Sequence, residues 1–437
     1  MPIRCNAATS SELIPLFLIY VLLWSANAQR LADIRADIQS LKFVHAIWRH
    51  GDRTPSVLIP TDVENNISSW KQGLGELTKL GLSQQYRLGL FLRQRYDGWL
   101  SKEYSPFEIY LRSSDYNRTL MSAQANMAGL FTPTRSEVFV KDLNWRPIPV
   151  HTMPKGTDKI LFDSVFCPAA TAEEHNIYSG DEVASIEKEN EAVLRDLWMV
   201  FDPLNSEFCH SDEHSLPKWV NSSIKDEIWR LYDLSSFFLY ESNLLTRLRG
   251  GPIFTDILNR MKSVARQQQD RREKFYAYSA HDTTVAGVLA GFGVHPVSFP
   301  PYSSMVLVEL HQSENGKNFV KLFYKNVTDS NNIWEYDIAD CESPCSLEDL
   351  EQARLPVIPL NWEEECGLYE WYHFSARTYI FVIGVLAVLC IALFIEILLL
   401  NLRSRRELDD SMRRREEGVS QKFLLETEEE DEDDVYP

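Results

Sequence analysis

The sequence predicts an α/β fold that carries a largely helical insertion and one membrane-spanning helix near its C-terminus. Short strand-like runs at residues 43–48, 107–111 and 274–279 are each followed by a stretch with helical periodicity. Between about residues 158 and 271 the chain turns to long, charged, amphipathic stretches with few strand signals, which marks an inserted helical region. Residues 378–400 are almost continuously apolar and long enough to cross a bilayer as a helix.

Residues 1–28 read as a secretory signal. Arg4 gives a weakly positive start, residues 13–24 are apolar but too short to span comfortably, and Ala26-Asn27-Ala28 is a small-x-small cleavage site before Gln29. The folded region is then residues 29–376, followed by the membrane segment at 377–402 and a tail at 403–437.

The strand at 43–48 ends where Arg49-His50-Gly51-Asp52-Arg53-Thr54-Pro55 begins. In an open α/β sheet, residues just past the carboxyl end of a strand line the ligand crevice. Two arginines flank one histidine here, and Gly51 lets the backbone turn sharply beside them. Arginine pairs two oxygens of a tetrahedral oxyanion with a planar fork of donors and keeps its charge at any working pH. An imidazole between two such cations is held deprotonated, with a ring nitrogen free to attack phosphorus. The pattern therefore points to a phosphate pocket and a phosphohistidine. Taken alone, Arg49-His50-Gly51 could equally be a polar strand end making ordinary turn contacts, but the full seven residues are much harder to reach by chance.

Downstream, residues 73–81 open a helix at 82–96, with glycines at the wrong spacing for a nucleotide fingerprint. The strand at 107–111 delivers Arg112 to the crevice, and a helix follows at 119–130. The strand at 274–279 leads to His281-Asp282-Thr283-Thr284, which opens a helix running to about residue 289. Amides at a helix N-terminus favour anions, so His281 would add a donor to the pocket. Asp282 would protonate the leaving alkoxide, its pKa raised by the phosphate charge beside it. Trp198 could line the substrate mouth, although a lone tryptophan on a helix is more often core. Residues 304–310 and 319–324 read as two edge strands forming a hairpin.

These segments carry a family resemblance. Arg49 to Pro55 resembles the R-H-G-x-R-x-P signature of the histidine acid phosphatases, a branch of the histidine phosphatase superfamily. Tyr278-Ser279-Ala280-His281-Asp282-Thr283-Thr284 is similar to that family's second motif, and Tyr110-Leu111-Arg112-Ser113-Ser114-Asp115 resembles its R-S-T-D segment. Residues 73–81, Leu197-Trp198 and Phe201-Asp202-Pro203-Leu204 add weaker matches, so the likeness covers about residues 41–366. It implies a Rossmann-like, phosphoglycerate-mutase-type core sheet flanked by helices. It further implies His50 as nucleophile, Arg49, Arg53, Arg112 and His281 as phosphate ligands, and Asp282 as proton donor. Small phosphate monoesters as substrates, no cofactor, an acidic optimum and a homodimer follow from the same resemblance, as do disulfides Cys167–Cys366 and Cys341–Cys345. Cys209 departs from the family pattern, because the segment that should hold its partner has Met305 instead, and a free thiol is expected there.

The remaining features concern compartment and partners. A net charge of −19 with no basic stripe argues against nucleic acid. Arg403, Arg405, Arg406 and Arg413-Arg414-Arg415 follow the apolar run, so the positive-inside rule puts the tail in the cytosol and makes the chain a type I membrane protein. Its catalytic region would face an endosomal or lysosomal lumen or the cell exterior. Residues 428–434 are all acidic and should stay solvated. Sequons at Asn66, Asn221 and Asn326 fit a luminal glycoprotein, and a fourth at Asn117 lies close enough to the Arg112 segment to be buried. The ten histidines form no metal-binding pattern. Two other readings stay open: a receptor or adhesion ectodomain that keeps the fold without activity, and a narrow inositol- or sugar-phosphate phosphatase.

Overall fold

The computed structural model describes residues 29–162, 164–180, 197–266, 273–295, 298–327, 330–368 and 376–430. The signal segment, residues 181–196 of the amphipathic region and the last acidic residues lie outside the described residues.

A seven-stranded mixed sheet organises the chain up to residue 368. Its strands are β1 (Gln29–Leu31), β2 (Leu41–Arg49), β3 (Ile109–Ser113), β4 (Phe275–Ala280), β5 (Met305–Gln312), β6 (Asn318–Lys325) and β7 (Trp334–Tyr336), in the order β1-β7-β6-β5-β2-β4-β3. β2, β4 and β3 run parallel, and the other pairings are antiparallel. Strands covered on both faces read as continuous apolar runs; every residue of β4 is buried, and in β2 only Lys42 is exposed. The segments expected to be edge strands are interior instead, since β5 pairs with β2 on one side and β6 on the other. The edges belong to β1 and β3, because β7 and β1 cap the flank that β6 would otherwise expose.

Helices cover the two faces. Against Val44, Ala46 and Trp48 pack α1 (Lys79–Arg95) and α2 (Asn117–Leu130), through Leu88, Leu92, Ala123 and Met127. The two helices cross closely enough that a Cβ on Gly89 would sit 2.0 Å from the Asn126 carbonyl oxygen. The opposite face, bearing Phe43, Ile47, Tyr276 and Tyr278, is covered by α6 (Gly251–Ala265) and α7 (Asp282–Gly291), with Phe254, Ile257, Met261, Val288 and Leu289 buried between.

Between β3 and β4 the described residues also hold α3 (Pro168–Tyr178), α4 (Leu197–Cys209) and α5 (Ser222–Phe237). The helical region is therefore not one separate body. α4 and α5 share a small core of Leu197, Leu204, Ile228 and Leu231, whereas α6 belongs to the main core. After β7 comes α8 (Leu347–Ala353), capped by the Ser346 hydroxyl, which accepts the Asp349 N–H.

Cys167 bonds to Cys366 and Cys341 to Cys345. Cys209 is also disulfide-bonded, so the expected free thiol is corrected. That expectation rested on Met305 replacing one family cysteine and did not weigh partners elsewhere in the chain. Asn66, Asn117 and Asn221 are exposed and Asn326 is half-buried; the doubt over Asn117 is removed, its amide donating to Glu76 at the surface.

The C-terminal unit is one helix, α9 (Ala376–Glu430), whose apolar part is long enough to cross a membrane. It continues through the charged residues that follow the apolar run and into the first of the acidic residues expected to stay solvated. Glu, Lys, Arg and Leu are strong helix formers, and Arg413 pairs with Glu417 one turn on.

Candidate active site

β2 and β4 are adjacent and parallel, with Arg49 level with Ala280, so the residues that follow each strand meet at one end of the sheet. His50 and His281 thereby face each other edge to face, with ring centroids 5.6 Å apart. The turn after His50 needs its glycine, because a Cβ on Gly51 would lie 2.3 Å from the Gly81 carbonyl oxygen at the start of α1.

His50 is buried, and its Nδ1 lies 2.8 Å from its neighbour's carbonyl, Gly51 O. A carbonyl can only accept, so Nδ1 carries the proton and Nε2 keeps its lone pair. Burial lowers the His50 pKa well below the ordinary imidazole value, and Arg118, Arg49, His281 and Arg53 push it further in the same direction. His281, buried and next to Arg118, is lowered to about 3. Its Nε2 lies 2.9 Å from Ser114 Oγ. Both imidazoles are therefore neutral in mildly acidic solution.

The charged groups are held individually. Arg49 donates from Nη1 to Pro300 O at 2.7 Å, pairs through Nη2 with Asp282 at 2.8 Å and lies 4.2 Å above the Tyr302 ring. Arg53 is fixed by Asp202 of α4 at 2.6 Å, and the other oxygen of Asp202 accepts the Ser56 N–H. Asp52 turns away from the pocket, accepting from Thr78 and from His210 Nε2 at 2.6 Å. Burial pushes the Asp282 carboxyl up, but Arg49, His281 and the Thr283 N–H outweigh it and the net shift is downward. The expected upward shift is thus not present in the free site, where Arg49 takes the place beside Asp282.

Two arginines change places relative to expectation. Arg112 stands level with Tyr278, which in turn is level with Ile47, so it lies two residues short of Arg49, about 6.6 Å back along the sheet. It points to the face covered by α6 and α7 and forms a buried ion pair with Asp158. Arg118, in the first turn of α2, is the charge acting most strongly on both His50 and His281. α2 begins two residues earlier than its periodicity suggested, and this brings Arg118 into the pocket. The signal for it was present as a second arginine six residues after Arg112, three residues past the matched segment that ends at Asp115. Asp202 was noted in the sequence only as part of a matched segment, and Trp198 is not core but about half exposed.

The profile of the histidine phosphatase superfamily (branch 2) matches residues 40–325. The chain is 38% identical to putative acid phosphatase 5 of Caenorhabditis elegans over 87% of its length and 93% of that protein. It is 36% identical to human lysosomal acid phosphatase over 79% of this chain and 84% of that one, and 35% identical to rat prostatic acid phosphatase over 81% and 97%. Among solved structures, the phytase of Citrobacter braakii superposes with a TM-score of 0.56, covering 75% of this chain and 99% of that chain at 14% identity, a likeness of fold alone. With its motifs, sheet and relatives in agreement, the chain belongs to the histidine acid phosphatases, branch 2 of the histidine phosphatase superfamily.

Proposed function

We propose that the protein hydrolyses phosphate monoesters in acid through a phosphohistidine on Nε2 of His50. The observation that carries this reading is the His50 Nδ1 contact with Gly51 O, which leaves Nε2 as the free nucleophile of a neutral ring among cations. Arg49, Arg53 and Arg118, with neutral His281 as a hydrogen-bond partner, surround the phosphoryl oxygens and stabilise the charge spread over them in the transition state. Nε2 attacks phosphorus in line as the bond to the ester oxygen breaks, and Asp282 gives its proton to the departing alcohol. Substrate phosphate competes with Asp282 for Arg49 and places negative charge beside the carboxyl; both changes raise its pKa from the lowered value of the free site. Water, deprotonated by the same carboxylate, then attacks the phosphohistidine and releases inorganic phosphate. Arg112 acts through the fold rather than on the phosphate.

Three finer points accompany this reading. The apolar part of α9, followed by arginines, supports a type I anchor, and the lysosomal name of several relatives supports an endosomal or lysosomal lumen for the catalytic region. Disulfides and exposed sequons favour the same side of the membrane. Exposed Phe139, Val140 and Trp145 on one loop favour a homodimer, which sedimentation of the solubilised protein would test.

The test of the chemistry is p-nitrophenyl phosphate hydrolysis by the full-length protein in detergent, from about pH 4 to pH 8 and with chelator present. Acid activity lost in His50→Ala by on the order of 10⁴-fold or more is the expected result. Turnover surviving in His50→Ala would overturn it.

A further inference from the structure

The cavity that opens beyond Arg49 has walls that phosphate chemistry does not require. They are aromatic: Phe201 of α4, Trp229 and Tyr232 of α5, and Phe299 and Tyr302 from the loop before β5. Phe201 and Tyr232 stack at 3.6 Å between centroids, Trp229 meets Phe201 edge to face at 5.0 Å, and Phe299 meets Tyr232 edge to face at 5.8 Å. Ring faces carry negative potential. One carboxylate, Asp233, shares the cavity.

Asp233 accepts the Phe299 N–H at 3.0 Å, and among the described residues no arginine, lysine or histidine pairs with it. Burial pushes its carboxyl up to about 6, against the pull of that hydrogen bond. A charge so placed is costly in the empty cavity, and a ligand that brings a cation removes the cost.

The carboxylate also lies at a defined reach from the phosphate pocket. Phe299 N–H holds Asp233, while the next residue's carbonyl, Pro300 O, accepts from Arg49. Two hydrogen bonds and the backbone from Phe299 N to Pro300 O separate the two charges, a span of roughly 13 Å at most. A phosphate gripped by Arg49 therefore sends its alcohol into the aromatic cavity, and a cation two carbons beyond the ester oxygen comes within reach of Asp233.

Resting on the phosphatase reading, we infer that Phe201, Trp229, Tyr232, Phe299 and Asp233 form a leaving-group subsite that selects phosphate monoesters of small amino alcohols, those bearing a quaternary or primary ammonium. The ring faces attract the cation and Asp233 pairs with it. A second phosphate on the alcohol would meet Asp233 as a like charge, so polyphosphorylated substrates are disfavoured.

The experiment compares choline phosphate with 3,3-dimethylbutyl phosphate, the same shape with carbon in place of the quaternary nitrogen. The full-length protein is assayed in detergent at pH 7, where Asp233, with its pKa of about 6, is ionised. Choline phosphate is expected to have the higher kcat/KM by about tenfold, as a cation held by ring faces and a carboxylate should. Asp233→Asn, which keeps an acceptor for Phe299 N–H, should bring the ratio close to one, and Trp229→Leu should lower it. Equal values for wild type would overturn the inference whether or not the variants fold, and so would a preference that survives in folded Asp233→Asn. If p-nitrophenyl phosphate is not turned over either, the phosphatase reading fails separately. Calorimetric Kd values for the same two esters then read the preference without turnover, and equal Kd values overturn the subsite.

Discussion

Two regions of the molecule hold the same kinds of side chain and differ in what they do with them. At the carboxyl end of β2 and β4 lie Arg49, His50, Arg53, Arg118, His281 and Asp282. Beneath α6 and α7, on the sheet face, lie His45 of β2 and Arg112 of β3 with its partner Asp158, while Asp256 accepts from the Tyr278 hydroxyl and pairs with Arg260. In the lower region the described arginines are closed on carboxylates. In the upper one, Arg49 pairs with Asp282 and Arg53 with Asp202, the proposed chemistry has phosphate compete with Asp282 for Arg49, and His50 has one nitrogen tied to a carbonyl and the other left open. Residue type does not separate the regions; height along the strand and free valence do.

The largest expected difference between them is at Asp282. Asp282→Asn should lower kcat by roughly 10² to 10⁴-fold, the range of a lost proton donor, and by more for alkyl phosphates than for p-nitrophenyl phosphate, whose leaving group scarcely needs a proton. A uniform loss across leaving groups would remove Asp282 from that role. Arg118→Ala comes next, at about 10² to 10³-fold in kcat/KM with the melting temperature little changed, as for one preorganised transition-state donor. If Arg118→Ala instead behaves as a folding defect with normal turnover, the two regions have been divided in the wrong place.

Most of the upper region was legible in the sequence because catalytic side chains at strand ends travel in short contiguous motifs. Arg49, His50 and Arg53 sit within five residues, and His281 and Asp282 are adjacent, so fixing the strand end fixes them all. Arg112 and Arg118 are only six residues apart, but which of them reaches the pocket depends on the register of β3 against β4 and on where α2 begins, neither of which periodicity resolves to within a residue. The interior position of β5 was hidden for a related reason, since pairing partners distant in sequence leave no local trace. Asp202 and Asp233 come from helices far from either motif, and only the fold brings them to Arg53 and to the cavity wall.

Arg112 tests the lower region directly. Arg112→Ala would leave Asp158 buried with only the Leu161 N–H and its own burial to contend with. Breaking a buried pair from one side costs about 3–5 kcal/mol. The expected outcome in chemical denaturation is a loss of that order, while kcat/KM of the folded protein changes by less than about threefold. A raised KM for phosphate esters at unchanged stability would return Arg112 to the pocket.

The smallest effect isolates burial from function along one strand and the residue that follows it. His45 lies on β2 and His50 five residues on, just past its end, both buried and both with pKa pushed well below the ordinary imidazole value. For His45 burial dominates, with Arg260 adding to it, and both ring nitrogens lack a hydrogen-bond partner between Phe43, Tyr276 and the stacked Tyr278. Unfolded, His45 binds a proton as pH falls below about 6.5, whereas folded it does not until far lower. The unfolded state therefore binds more protons in that window, so His45 takes stability away as the solution becomes acidic and none above the window. His45→Leu, close in volume, should leave kcat unchanged. Its melting temperature relative to wild type should rise from pH 7 to pH 5, the advantage growing by at most about 1.4 kcal/mol per pH unit. A parallel pH dependence in the two proteins would mean that His45 titrates in the folded state. His50 carries the same liability, but its neutral ring is what the proposed chemistry needs in acid, so the same pKa shift is a burden at one position and a requirement five residues later.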